Sequence, residues 1–162
     1  MRSNTGETIN TDLNTEVSIE NRVEKILADP NSFLILFDGV CNLCNSSVDF
    51  IISRNAKQNI YFLTLQSELA QRLTRERNID LEHLSSIVVL QGKASYVRST
   101  GVLKASLHLQ QPWAFLARIG LVFPAFIRDG VYRLVARSRY TFFGKKDACR
   151  LPTQQEAMQL LG

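Results

Sequence analysis

Hydrophobic residues recur along this chain in short continuous runs that alternate with stretches of helical spacing. The first continuous run, Phe33–Phe37, predicts a strand buried on both faces. From Cys41 the apolar positions follow helical spacing as far as Ile52, and Ile60–Leu65 then predicts a second buried strand. Ser67 is a residue type that caps helices, so we expect a further helix to begin there.

The second half of this pattern closes with two adjacent strands and a helix. Ser86–Gln91 predicts a third strand, and the turn Gly92–Lys93 joins it to a short strand around Tyr96–Arg98. Ser99 or Thr100 is then expected to cap a helix. The order β-α-β-α-β-β-α favours an α/β fold with a mainly parallel sheet covered by helices. A closing hairpin followed by a helix is typical of a thioredoxin-like core.

The chain divides into three segments within one domain, for which 162 residues provide a sufficient hydrophobic core. We expect residues 1–30 to form a polar tail, disordered to about residue 16 and followed by a short helix that ends before Asp29. Residues 31–110 would form the thioredoxin-like core. Residues 111–162 would form a helical, basic extension packed on the same domain.

Charge is distributed unevenly between these segments. The net charge of +4 is mild and predicts no nucleic-acid partner, but Pro112–Leu151 holds eight basic residues against two acidic ones. Apolar residues are concentrated between Trp113 and Ile127 in the same region. They favour helices that pack back onto the domain, and the alternative is a hairpin that contacts a partner or, peripherally, a membrane surface.

The sequence also predicts where the protein works. It contains no run of about 18 apolar residues, so no transmembrane helix is expected. The first sixteen residues lack the apolar stretch of a signal peptide. We therefore expect a cytoplasmic, reducing location, where a close cysteine pair is more often catalytic or metal-binding than structural.

The candidate chemistry lies in the motif Cys41-Asn42-Leu43-Cys44. Its first cysteine follows a buried strand and a glycine turn, and its second lies inside the helix that begins there. Unpaired N–H groups and the dipole of a helix N-terminus favour the Cys41 thiolate, whereas the nearby Asp38 carboxylate opposes it. Cys44 lies on the same helical face and can resolve a mixed disulfide. We expect a reducing rather than a strongly oxidising dithiol.

Other interpretations of the motif remain open. A Cys-x-x-Cys pair supplies half of a zinc site, for which Cys149, His83 and His108 are the candidate further ligands. None of these forms a second paired motif, and both histidines are more simply structural or solvated. The cysteines are also compatible with inert packing, and Asp38-Gly39 with ordinary turn chemistry. We favour redox chemistry because of the strand–turn–helix context.

The segment Phe37-Asp-Gly-Val-Cys-Asn-Leu-Cys44 resembles the motif of the DCC family of thiol–disulfide oxidoreductases, named for an Asp and two Cys residues. The resemblance continues over most of the chain, at Asn45, Leu65-Gln66-Ser67, Arg128-Asp129, Tyr132, Arg139-Tyr140, Phe143-Gly144-Lys145, Asp147, Cys149 and Pro152. It implies that Cys41 is the nucleophile and Cys44 the resolving thiol. Asp38 would be the third motif residue, which either exchanges a proton with Cys44 or accepts hydrogen bonds from the loop that presents Cys41.

Accessory residues follow from the C-terminal part of the resemblance. Cys149 is either a third redox thiol or a buried small residue. Arg128 and Arg139, together with Lys145 and Lys146, would stabilise the Cys41 thiolate if the extension folds over the motif; solvated helix faces are the alternative. The chain departs from ordinary thioredoxins because it has no Trp before the first cysteine and no Pro before the third strand.

The leading function hypothesis is dithiol–disulfide exchange on an unidentified disulfide- or thiol-containing substrate. It requires an external reductant and no bound cofactor. One alternative is a metal-binding module that uses Cys41, Cys44 and Cys149. The other is a partner- or membrane-surface-binding module in which the cysteine pair is not redox active.

Overall fold

The computed structural model describes residues 5–80, 87–144 and 158–161 of the chain. Within these ranges, helices and strands alternate before a β-hairpin and three further helices. The elements are α1 (Thr5–Ala28), β1 (Phe33–Phe37), α2 (Asn42–Ile52), β2 (Ile60–Thr64), α3 (Glu68–Glu76), β3 (Val88–Gln91), β4 (Ala94–Val97), α4 (Arg98–Ser106), α5 (Trp113–Val122) and α6 (Ala125–Phe143).

The described strands form a four-stranded sheet in the order β2-β1-β3-β4. β1 and β2 are parallel, with Phe33 opposite Ile60 and Phe37 opposite Thr64. β3 is antiparallel to both β1 and β4. The α/β class and the thioredoxin-like order are confirmed, whereas the expectation of a mainly parallel sheet is wrong. Hydrophobic periodicity identifies strands but carries no information about their direction, so the reversal of β3 could not be inferred from it.

The central strand β1 is buried on both faces, as its continuous apolar run predicts. Successive side chains of a strand point to opposite faces. Phe33, Ile35 and Phe37 belong to the core that includes α2 and both motif cysteines. Leu34 and Leu36 belong to the second core, which α1 and α3 cover. The strand is therefore held between two packed layers. The motif loop begins at the carboxyl end of this fixed strand.

The helix α1 begins at Thr5, so the expectation of disorder to about residue 16 is wrong. Its second half carries the apolar positions that the sequence marks as a short helix. Val23 is 2% exposed and Ile26 is 8% exposed, and both pack in the second core. Helix formation is cooperative, because each residue added to an existing helix contributes a hydrogen bond without a new nucleus. A packed second half can therefore extend into the polar residues before it.

Two further local predictions concern turns and caps. The hairpin turn at Gly92 is confirmed, with a positive φ of 55° that glycine accommodates. The Ser67 cap is also confirmed, because its hydroxyl accepts a hydrogen bond from the N–H of Ala70. The prediction that Ser99 or Thr100 caps α4 is wrong, because Val97 is the N-cap residue and its side chain makes no hydrogen bond there. β4 leads directly into α4, so strand pairing rather than capping chemistry sets this boundary.

The C-terminal helices pack on one side of the core. Both α5 and α6 contact α4, and α6 also contacts α2. Their outer surface is strongly apolar: Val122 is 84% exposed and Phe126 is 74% exposed. No helix in the described ranges combines the length and hydropathy needed to cross a membrane. After α6, residues 158–161 pair with β2 rather than form a longer helix, since Leu160 bridges Phe62.

Candidate active site

The motif residues assemble at the carboxyl ends of the parallel strands β1 and β2. Asp38 directly follows β1, and Gln66 lies two residues after β2. Strands that run parallel end at the same edge of a sheet, which brings these two side chains together. The chain then turns so that the N–H of Cys41 donates to the carbonyl of Asp38 at 3.2 Å. This turn delivers Cys41 to the start of α2.

Cys41 is the N-cap residue of α2, as the sequence predicts. Its backbone is extended, and its Sγ accepts a hydrogen bond from the N–H of Cys44 at 3.4 Å. The side-chain amide of Asn45 donates to the carbonyls of Gly39 and Cys41, at 2.8 and 3.0 Å. A buried amide with two backbone partners holds the loop rigidly relative to the helix. Asn45 is among the residues that carry the family resemblance, but the sequence assigned it no role; the signal for this one is its position four residues after Cys41.

The Asp38 carboxylate lies at the centre of a buried polar network. Its Oδ2 accepts from Nη2 of Arg139 at 3.1 Å, and its Oδ1 accepts from Nε2 of Gln66 at 3.0 Å. The N–H of Val40 donates to the same Oδ1 at 3.2 Å. Gln66 completes a closed ring, because its Oε1 accepts from the N–H of Gly39 at 3.1 Å. Asp38 therefore holds the loop that presents Cys41, one of the two roles expected for it.

Arg139 links α6 to both chemical groups of the motif. Besides its ion pair with Asp38, its Nη1 lies 3.6 Å from Sγ of Cys44. Arg139 is 7% exposed, so the guanidinium is buried between the two partners. The sequence expectation placed this charge near Cys41; the described contacts place it against Cys44 and Asp38 instead.

Burial dominates the ionisation of the Cys44 thiol. It raises the pKa of Cys44 to about 12, with smaller increases from the hydrogen bond and charge of Cys41 and from the charge of Asp38. The Arg139 cation acts in the opposite direction. Burial also raises the pKa of the nearby Tyr132 phenol. Cys44 is therefore protonated at neutral pH in the reduced protein, which suits a thiol that reacts second.

The raised pKa of Cys44 predicts that the reduced protein loses stability at alkaline pH. An unfolded cysteine loses its proton near pH 8.5, whereas the folded protein retains it to about pH 12. In this window the unfolded state binds fewer protons, so the free energy of unfolding falls by about 1.4 kcal/mol per pH unit. Urea unfolding from pH 8 to 11 under reducing conditions measures this slope. Cys44→Ser is the control, and an unchanged slope in that variant would contradict the prediction.

The other candidate residues lie away from this network or outside the described ranges. Arg128 donates from Nε to the carbonyl of Phe123 at 3.0 Å, a contact at the turn before α6. His108 packs against Phe33, at the opposite end of β1 from the motif. Cys149 and His83, like Lys145 and Lys146, lie outside the described residues. In the described part of the chain, no three His, Cys, Asp or Glu side chains are grouped to hold a metal ion.

Both motif thiols are free and shielded from solvent. Cys41 is 0% exposed and Cys44 is 4% exposed. Gly144, directly after α6, lies close to the start of α2, because a Cβ added there would lie 3.5 Å from the side-chain amide nitrogen of Asn42. A folded disulfide-containing protein cannot reach either sulfur in this arrangement. Disulfide exchange between Cys41 and a folded protein substrate therefore requires a local movement that exposes the Cys41 sulfur.

Comparison with known proteins identifies the family. The sequence profile of the DCC1-like thiol-disulfide oxidoreductases matches residues 35–145. The uncharacterized protein YuxK of Bacillus subtilis is 42% identical over 124 residues, which cover 76% of this chain and 89% of that protein. A chloroplastic DCC family protein of Arabidopsis thaliana is 38% identical over 118 residues, covering 73% and 69%. No solved structure shows significant similarity to the chain. The chain therefore belongs to the DCC1-like thiol-disulfide oxidoreductase family.

Proposed function

We propose that this protein exchanges its Cys41–Cys44 dithiol with a disulfide substrate, with Cys41 as nucleophile and Cys44 as resolving thiol. The observation that carries the proposal is the position of Cys41 as N-cap of α2, with Cys44 in the first turn of the same helix. The N–H groups of a helix N-terminus favour an anion at the cap. The protonated Cys44 supplies the second thiol within reach.

The reaction proceeds in two exchange steps. The Cys41 thiolate attacks one sulfur of the substrate disulfide, and the other sulfur leaves as a thiolate and takes up a proton. Cys44 then loses its proton and attacks Sγ of Cys41, which releases the second substrate thiol and forms the Cys41–Cys44 disulfide. Two electrons and two protons pass from the protein to the substrate. An external thiol reductant must return them, and a reducing compartment such as the cytoplasm fits this requirement.

Asp38 and Arg139 act as positioning residues in this proposal. Asp38 holds the loop before Cys41 and orients Arg139. Arg139 places its positive charge beside the Cys44 sulfur, where it favours the thiolate that forms in the second step. The carboxylate and the guanidinium therefore influence Cys44 in opposite directions, while burial keeps the thiol protonated until the mixed disulfide forms.

The test of this proposal is a redox titration of the cysteine pair in glutathione or dithiothreitol buffers. Samples are quenched with acid, alkylated in denaturant and weighed as intact protein. A Cys149→Ser background is used so that the mass counts only Cys41 and Cys44. We expect a reversible two-electron transition near or below the cytosolic poise, about −220 to −320 mV.

The same titration separates the proposal from a metal-binding function. If the pair stays reduced across the whole range, or is oxidised only after zinc is chelated, the proposed exchange is wrong. Zinc measured in the purified protein would then identify the metal-binding alternative. A dithiol mechanism requires Cys41 and Cys44 to be oxidised together. If the intact mass instead showed one thiol oxidised while the other stayed reduced, the proposed mechanism would be wrong.

A further inference from the structure

A cavity of about 240 Å³ lies between α2, α4 and α6 beside the motif. Cys44 lines this cavity and Cys41 does not. The polar side chains at its wall are those of Ser47, whose hydroxyl donates to the carbonyl of Leu43, of Tyr132, whose hydroxyl accepts from the N–H of Ile87, and of Arg139. The rest of the wall is largely aliphatic and includes Leu43, Ile51, Ile87, Val102, Val135 and Ala136. A molecule that enters here meets Cys44 first.

The two motif sulfurs therefore face different surroundings. Cys41 is fully buried at the helix terminus, whereas Cys44 borders a largely apolar cavity. In the oxidised protein, a thiolate that attacks Cys44 releases Cys41 as the leaving thiolate. The helix N-terminus favours an anion at that position, so Cys41 is the better leaving group. Access and leaving-group stability thus select the same sulfur for attack.

We propose that the cavity admits a small apolar thiol that re-reduces the Cys41–Cys44 disulfide by attack on Cys44. The inference rests on the proposed function, and it identifies by chemical class the external thiol reductant that this function requires. The thiolate bonds to Sγ of Cys44, the bond between Cys44 and Cys41 breaks, and Cys41 departs with the electron pair. A second thiolate attacks the bound thiol's sulfur, and Cys44 leaves and takes up a proton. Two thiols are oxidised to one disulfide, and the protein's disulfide is reduced to two thiols.

The wall of the cavity explains the preference for an apolar thiol. Aliphatic side chains offer no hydrogen bonds, so a charged substituent would lose its water without compensation. The Arg139 guanidinium is paired with Asp38, so it is not a ready counter-ion for an anionic thiol. The volume lies below the roughly 300–1,000 Å³ of pockets that hold drug-sized ligands. A compact aromatic or aliphatic thiol therefore fits, and a charged tripeptide does not.

The experiment measures reduction of the oxidised protein in the Cys149→Ser background by benzyl mercaptan and by glutathione, at equal thiolate concentrations. We expect benzyl mercaptan to react at least about tenfold faster. Acid quenching during the reaction, followed by peptide mapping, is expected to find the benzyl adduct on Cys44. Val102→Phe places a ring in the cavity and is expected to remove the preference for benzyl mercaptan. Ala136→Phe tests the same wall from α6 if Val102→Phe does not fold.

Val131→Phe is the matched control, because Val131 lies on α6, is 61% exposed and does not line the cavity. It should retain the full preference. An adduct on Cys41, or equal rates for the two thiols, would overturn the inference while leaving the protein redox active. A preference that survives both cavity-filling variants would overturn it as well. If the Cys41–Cys44 disulfide does not form at all, the proposed function itself has failed, and this is seen before any thiol is added.

Discussion

Replacing Cys41 with serine is expected to reduce disulfide exchange by about a thousandfold or more, because the variant lacks the attacking sulfur. A hydroxyl at this position is not ionised near neutral pH and forms no mixed disulfide, and loss of a catalytic nucleophile typically has effects of this size. The measurement is the steady-state rate of reduction of a small aromatic disulfide, with a chemical reductant in excess. Because Cys41 is fully buried, the substitution could disturb folding. Circular dichroism is therefore used to check that the variant is folded.

Two comparisons make this result specific. Incubated with the substrate disulfide and no chemical reductant, Cys44→Ser is expected to make one attack and stop, so a substrate adduct should accumulate on Cys41 and be visible by mass. Ser46→Ala changes an exposed residue of α2 near the motif and should stay within about twofold of the parent protein. If Cys41→Ser retained substantial activity while Cys44→Ser lost the adduct, the assignment of nucleophile and resolving thiol would have to be reversed.

The parts of the site that depend on local sequence could be predicted from it. Cys41 as the start of a helix follows from a strand, a glycine turn and a change to helical spacing within a few residues. The Ser67 cap follows from the same kind of local rule. The buried strand Phe33–Phe37 requires only a continuous apolar run. In each case the determining residues are neighbours in the chain.

The parts that depend on distant contacts could not be predicted in the same way. Arg139 lies 101 residues from Asp38 in sequence, and no periodicity indicates which of several arginines on α6 turns inward. The structure separates them by burial: Arg137 is exposed, whereas Arg139 is buried. The cavity beside Cys44 likewise depends on three helices meeting, which no single segment encodes. The resemblance marked Arg139 as an accessory residue, but its partner emerges only from the fold.

The buried ion pair between Asp38 and Arg139 is expected to make a large contribution to stability. Removing one partner of a buried pair leaves a charge without its counter-ion and costs about 3–5 kcal/mol. We expect Arg139→Met and Asp38→Asn each to lower the free energy of unfolding by about that amount in urea titrations. Arg139→Met should lie near the lower limit, because Gln66 still donates to the carboxylate.

The double variant tests whether the two losses share one cause. Asp38→Asn/Arg139→Met removes both charges, so it should cost several kcal/mol less than the sum of the single variants. Arg137→Met, an exposed change of the same type on the same helix, is expected to stay within about 0.5 kcal/mol of the parent protein. Additive single effects would show that the pair is not coupled and that each residue acts through other contacts.

The same two single variants should shift the pKa of the Cys44 thiol in opposite directions. A purely structural role of the ion pair would not produce such a result. The negative charge of Asp38 raises the pKa of Cys44 and the positive charge of Arg139 lowers it, in addition to the dominant effect of burial. Asp38→Asn should therefore lower the pKa of Cys44, and Arg139→Met should raise it. Ultraviolet titration of the thiolate measures both shifts in a Cys41→Ser/Cys149→Ser background, where Cys44 is the one remaining cysteine. Shifts of the same sign in both variants would mean that the pair holds the fold together without tuning the resolving thiol.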